Sequence, residues 1–287
     1  MSKIVVTEAI QNVEPAAPMR QLVDVYDIPP GHFQANIPLW NRMSAAATTE
    51  GVDLASPTTV QATVRTVTAS RHGVLSFISD RLQHQNNENV LSQVGVMHGR
   101  AVGRLLDSDL LTLLDGFSNT APGAGSDATF LHIAGAVSFV RSDNNTAFGP
   151  APSRPNAVLS PEQIRLLVQE AAGMQAAGTT MSAQPIPTGL SEEVIKAYWR
   201  GNDPLFGVPI YEDGNIDQDV ASGGDAKGGV FAMKALHLAI EQEIRAADER
   251  DESLFGTEVV SSGVWGEGES VDEWGVEVFS AADPVFA

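Results

Sequence analysis

The stretch at residues 86–117, NNENVLSQVGVMHGRAVGRLLDSDLLTLLDGF, decides how the rest of the chain is read. Val90, Val94, Met97, Ala101 and Leu105 recur at three- and four-residue spacing, which predicts one face of an α-helix. Leu91, His98, Val102 and Leu106 form a second stripe beside it, so most of the circumference is covered. Asn86 or Asn87 can cap the start, and Glu88 lies where the helix dipole favours negative charge. No proline interrupts, and Gly116 offers a stop. About 27 residues at about 1.5 Å each make a rod of roughly 40 Å. No heptad repeat is sustained, so the expectation is a strut crossing a sheet face rather than a coiled coil.

Upstream, residues 1–48 hold Pro15, Pro18, Pro29, Pro30 and Pro38 among the apolar anchors Val5, Leu22, Val25, Phe33, Ile37 and Trp40. Such proline density breaks regular elements, while the anchors argue against a free tail, so an extended arm lying on a surface is expected. Residues 57–79 read as a β-hairpin. Val60, Ala62 and Val64 alternate with Gln61, Thr63 and Arg65, residues 70–73 (SRHG) make the turn, and GVLSFIS returns. Both strands are only half apolar, so this hairpin needs a partner surface.

Downstream, Leu131, Ala134, Val137 and Val140 (or Phe139) predict a second helix. A short strand at 157–159 leads into a helix capped by Ser160, with Pro161 and Glu162 in its first turn. SEEVIKAYWRG reads as another helix, and LFGVPIYEDGNI as a strand ending in a turn. VFAMKALHLAI is β-rich but also fits a helix. A charged stretch then precedes TEVVSSGVWG and EWGVEVFS, expected as antiparallel strands closing a sheet. The class is α+β.

With 287 residues and 43% hydrophobic content the chain can bury a sizeable core, and it has no cysteine, which excludes disulfides and thiol chemistry. No stretch approaches the roughly 18 apolar residues of a membrane span, and MSKIVVTEAI is not a secretory signal. The net charge of −19 is uneven. Residues 1–105 carry eight Lys/Arg against eight Asp/Glu, and residues 190–287 carry six against twenty-one. Free-standing DNA recognition, which needs a basic surface, is therefore not expected.

Chemistry is scarce. GAGSDA at 123–128 resembles a dinucleotide loop but follows a helix, and GGDAKGG at 223–229 lacks the Lys-Ser/Thr of a phosphate loop, so both are read as mobile loops. DGNIDQD at 213–219 alternates oxygen ligands as calcium loops do. Gln218 stands where such a loop needs glycine and Gly224 where it needs its last glutamate, so a solvated acidic loop is expected. The six histidines show no metal-ligand spacing, and His98 is expected to be buried or interfacial rather than a catalytic base. No catalytic, cofactor-binding or metal-binding residue is assigned.

The order of elements resembles the major capsid proteins of tailed bacteriophages, the Hong-Kong-97-type fold. The resemblance is carried by ISD at 78–80 entering the long helix, LLDSDLL at 105–111 and GFS at 116–118 closing it, NAVLSP at 156–161, and LFGVPI at 205–210. It implies an N-terminal arm at 1–48 and an extended loop at 49–85. A peripheral domain with the spine helix would take 86–125 and 244–287, and an axial domain 126–243. It further implies a virion protein, assembled in the host cytoplasm, that forms hexamers and pentamers around double-stranded DNA and has no active site or membrane contact. The expected intersubunit contacts are Arg65, Ser70, Arg71, His72, Gly73 and Arg81, the arginines meeting acidic surface on a neighbour. Some relatives weld subunits through an extended-loop lysine, but residues 50–82 contain none, so other contacts or a decoration protein must hold the shell. The short arm after Met1 implies a separate scaffolding protein and no N-terminal cleavage, and a portal completes the partners. Two alternatives stand beside this reading: an encapsulin-like nanocompartment shell, and a soluble hydrolase or binding protein using the loop at 213–219.

Overall fold

A computed structural model describes residues 18–45, 47–51, 59–85, 90–144, 147–171, 205–216, 218–219 and 224–282. The long helix is present as α2 (Val90–Thr112), after a short α1 (Asp80–Gln85), and tightens into a 3-10 turn, Leu113–Gly116, that ends where Gly116 was expected to stop it. The expected caps Asn86 and Asn87 lie outside the described residues. Of the two stripes, the second is buried: His98, Val102 and Leu106, continued by Leu110, Leu111 and Leu114. Met97, Ala101 and Leu105 face outward. Gly95, Gly99 and Gly103 lie on the buried side. A residue without a side chain adds nothing to an apolar count, yet it lets a helix lie close to its neighbour, and only Val90 and Val94 of the first stripe are half-buried.

The described strands form three sheets. The first has strand order β1-β9-β10-β4, with β1 (Asp24–Asp27) parallel to β9 (Leu236–Asp251), and β10 (Gly256–Glu269) antiparallel to both β9 and β4 (Ser70–Ser79). Helix α2 lies on it through Val90 and Val94 against Ile78 and Val259, and through His98. The His98 ring bonds Ser261 Oγ at 2.9 Å through Nδ1 and Ser76 Oγ at 2.7 Å through Nε2, and burial pulls its pKa down. The second sheet has order β11-β8-β5-β6, built from β11 (Gly275–Ala281), β8 (Asp225–Ala232), β5 (Pro155–Leu159) and β6 (Ile210–Glu212), with β7 (Gln218–Asp219) beside β8. The third is a two-stranded ribbon of β2 (Gln34–Trp40) and β3 (Ala62–Thr68).

The ribbon corrects the expected hairpin. Strand β3 pairs with β2, from the stretch read as a broken arm, while β4 pairs with β10; residues 70–73 lie inside β4 rather than in a turn. The switch between sheets falls at Ala69, whose N–H donates to Phe33 O at 2.9 Å. Two adjacent alternating runs look like hairpin partners, but pairing is decided by what each face can bury. Pro38 concealed β2, yet a two-stranded ribbon has free edges that tolerate a missing donor.

The closing strands were read as partners too. Instead β10 belongs to the first sheet and β11 to the second, because a 3-10 turn at Asp272–Trp274 redirects the chain between them. The charged stretch before them is the second half of β9, which alternates exposed and half-buried positions from Glu241 to Ala246 and is exposed throughout 247–250. A 3-10 turn, Met233–Ala235, separates β8 from β9, so the helical alternative for this run fails. The glycines at 228 and 229, read as a mobile loop, sit within β8.

Helices α3 (Phe130–Arg141) and α4 (Pro161–Ala171) pack on the second sheet. Thr129 caps α3, whose buried side is Phe130, Ile133, Ala136, Val137 and Val140, while Leu131 is exposed. Ser160 caps α4 as expected. Its Oγ accepts from Gln163 N at 3.2 Å, and Gln163 Oε1 accepts from Ser160 N at 3.0 Å, a reciprocal capping box. The helix expected from SEEVIKAYWRG lies outside the described residues.

Candidate self-association surface

The β2–β3 ribbon has two faces of different character. Opposed residues share a face, so Ala35/Val67, Ile37/Arg65 and Leu39/Thr63 form one side. Ile37 and Val67 are buried against Ile28 and Ala239. Arg65 Nε donates to Ser270 O at 3.0 Å, and beyond the last pair Arg42 N donates to Ala147 O at 2.6 Å. This face is fastened to the chain's own body.

The opposite face carries Gln34/Thr68, Asn36/Thr66, Pro38/Val64 and Trp40/Ala62. Its first two pairs satisfy each other: Gln34 Nε2 donates to Thr68 Oγ1 at 3.3 Å, and Thr66 Oγ1 to Asn36 Oδ1 at 2.8 Å. Its last two are apolar and open, with Trp40 at 65% and Val64 at 55% exposure, and Phe33, Met43 and Val60 are exposed nearby in sequence. Fully covering one side chain of this size is worth about 1.5–3 kcal/mol.

A second open apolar surface lies on the first sheet. Ser76, Ile78, Val259 and Ser261 point to α2, so alternation puts Leu75, Phe77 and Val260 on the other face, where all three are exposed. Val260 stands between Leu75 and Ala247, and Phe77 beside Glu258, which also pairs with Glu249. Contiguous apolar surface left open by an otherwise well-packed chain marks a contact site. Among the described residues no three His, Asp or Glu side chains converge as a metal site, and no described helix is long and apolar enough to cross a membrane.

No protein-family description matches the chain, and no curated protein matches it by sequence. Solved structures do. The head structure of Helicobacter pylori bacteriophage KHP40 superposes with a TM-score of 0.71 over 93% of this chain and 92% of that one, at 9% identity. The capsid of Ralstonia phage GP4 gives 0.66 over 92% and 87%, at 12% identity. The capsid structure of the Cyanophage P-SCSP1u gives 0.61 over 91% and 87%, at 16% identity. The chain has the Hong-Kong-97-type capsid fold. At these identities the capsid fold is shared as backbone topology, not as a set of side chains.

Within the capsid fold, the six residues expected to meet a neighbour fall on three elements. Arg65 is on the ribbon, its Nε engaged with Ser270 of its own chain. Ser70, Arg71, His72 and Gly73 are in β4, opposite Trp265, Val264, Gly263 and Ser262. His72 stacks on Trp265 with ring centroids 4.3 Å apart and bonds Ser70 Oγ at 2.7 Å, so these two serve the chain's own packing. A Cβ on Gly73 would meet Ser261 O at 3.0 Å, which explains glycine there as close strand approach rather than a turn. Arg71 is exposed, and Arg81 on α1 bonds Gln85 at 3.3 Å. Asp80 beside it is held by both arms of Arg250, at 2.5 and 2.8 Å. The apolar ribbon face was missed. Its signal was the alternation of QANIPLW, which the proline masked.

The loop read as solvated and acidic is not solvated at its start. Asp213 is 3% exposed, its Oδ1 accepting from Asn215 N at 2.8 Å, and Asn215 Nδ2 donates to Asp107 Oδ2 at 2.9 Å. Asp107 lies on α2 at 0% exposure, and its Oδ1 accepts from Met19 N at 3.1 Å. Asn215 therefore spends its side chain on a carboxyl rather than offering it to a cation. Asp217 lies outside the described residues.

Proposed function

We propose that this chain is the structural subunit of an icosahedral bacteriophage capsid, self-assembling as hexamers and pentamers around double-stranded DNA, and that it is not an enzyme. The supporting observation is the β2–β3 ribbon, fastened along one face to its own body while the other presents Trp40 and Val64 to solvent. A neighbour's sheet face at Leu75, Phe77 and Val260 is of matching apolar character. The extended loop is then residues 33–69 rather than 49–85, with the arm ending before Phe33, and α2 is the spine helix. Arg71 and Arg81 remain the intersubunit cations of this reading, while Arg65 acts mainly within its own chain.

Other partners follow from the same reading: a portal, a separate scaffolding protein, and either other contacts or a decoration protein to hold the shell, because residues 50–82 lack lysine. The DNA contact is non-specific. The exposed side of α2 between residues 93 and 105 carries Arg100 and Arg104 and no acid, which suits a phosphate-lined interior. The test is negative-stain electron microscopy of the purified protein, alone and co-expressed with its genetic neighbours. Closed shells or capsomer-sized rings are the expected outcome, and a monomer in both preparations overturns the proposal. Shells filled with protein cargo instead of nucleic acid would turn it into a nanocompartment.

A further inference from the structure

We propose that Asp107 and Asp213 form a proton-binding site, in which one proton held between two buried carboxyls fastens the arm, helix α2 and the loop at 213–216 to one another. Three chain segments meet there. Met19 comes from the 3-10 turn Pro18–Gln21, Asp107 from α2, and Asp213 and Asn215 from the turn after β6. Asn215 bridges the two carboxyls, its N–H donating to Asp213 Oδ1 and its Nδ2 to Asp107 Oδ2, and both residues are more than nine-tenths buried. Both Asp107 oxygens already accept from N–H donors, and Asp213 Oδ1 accepts from a third. Asp213 Oδ2 is buried with no donor among the described residues. A proton on Asp107 supplies that donor. Without it, two carboxylates face each other in a place water does not reach, which is strongly unfavourable.

The surrounding charges do not offer another solution. The charged group acting on Asp107 is Asp213, and the other groups facing it are the Met19 and Asn215 amides. Of the nearby residues on the same elements, Arg20 pairs with Glu243 at 2.6 Å, Asp109 accepts from Trp265 Nε1 at 3.3 Å, and Arg104 is exposed. Burial, with the Asp213 carboxyl second, pushes the Asp107 carboxyl up to about 7. The raised native value means the folded chain keeps a proton that the unfolded chain releases near pH 4. This contribution to stability is therefore complete below about pH 4 and is lost as pH rises to about 7.

The test is thermal unfolding of the full-length protein from pH 5 to pH 9, for wild type, Asp107→Asn and Asp213→Asn, each with EDTA and with added calcium. Asparagine at 213 keeps its oxygen for Asn215 N and can donate from Nδ2 to Asp107 at every pH, whereas asparagine at 107 would give up one of the two oxygens that accept from Met19 N and Asn215 Nδ2. The Asp213→Asn variant is expected to melt about 2–4 °C above wild type at pH 8, with the gap narrowing toward pH 5, and calcium is expected to change neither. Parallel profiles for wild type and both variants would overturn the proposal. So would a calcium-dependent rise of the wild-type melting temperature at pH 8 that Asp107→Asn abolishes, because a cation would then hold the pair. Should Asp213→Asn not fold, Asp107→Asn still reads the proposal through loss of the wild-type dependence on pH. Infrared spectra give a direct reading: a protonated carboxyl C=O band in wild type at pH 6, missing in either variant. Absence of that band in wild type refutes the site.

Discussion

Gln163 shows how much a single polar side chain holds together. Besides its capping box with Ser160, its Nε2 shares its two hydrogens among three acceptors, Ala226 O at 2.9 Å, Val278 O at 2.9 Å and Ser280 Oγ at 2.8 Å, joining α4 to β8 and β11. Gly228 makes room for it, since a Cβ there would meet Val158 O at 2.5 Å and Gln163 Oε1 at 2.8 Å. Gln163→Leu leaves several buried groups without partners and is expected to cost about 2–4 kcal/mol, measured by urea unfolding. His237 is the opposite case. It is buried beside Tyr26, with neither ring nitrogen partnered among the described residues, and burial depresses its pKa. Native His237 is neutral while the unfolded side chain charges below about pH 6.5, so its contribution falls as pH drops through that value. His237→Phe is expected to raise stability at pH 7 by about 1 kcal/mol, and by more at pH 5. A variant less stable than wild type at pH 5 would contradict this.

At the scale of elements, the β2–β3 ribbon separates folding from assembly. Trp40→Ser with Val64→Thr changes exposed positions, so the unfolding free energy of the unassembled chain should move by no more than about 0.5 kcal/mol per site. Assembly should nevertheless fail, as sedimentation would show, because each lost apolar contact recurs at every neighbour. Shells at the wild-type yield would disprove the role given to this face. Helix α2 and the Ser160 start of α4 were legible in the sequence, because 3.6-residue periodicity and a capping box are local signals. The ribbon was not. Its two strands are separated by residues 41–61, and nothing local announces which distant strand will pair.

At the scale of the whole molecule, an acidic chain carries a neutral first third, and Arg100 and Arg104 lie on the open side of α2. Arg100→Glu with Arg104→Glu is expected to leave shells intact and to lower their retained DNA, read as the ratio of nucleic-acid to protein absorbance. The loss should grow with salt, because phosphate contacts weaken as counterions compete. Unchanged DNA content would remove α2 from the interior face.

By itself the sequence determined the α+β class, the long helix, the capped α4, the absence of disulfides and the uneven charge, all consequences of local periodicity, end chemistry or simple counting. The capsid resemblance rested on the order of those pieces, which survives even when individual pairings are misread. Only the tertiary structure decided that β3 turns to β2 and β4 to β10, that Asn215 joins Asp107 to Asp213, and that Trp40 faces outward. Each of these depends on which distant residues share a buried surface, and burial is a property of the whole packed chain rather than of any stretch within it.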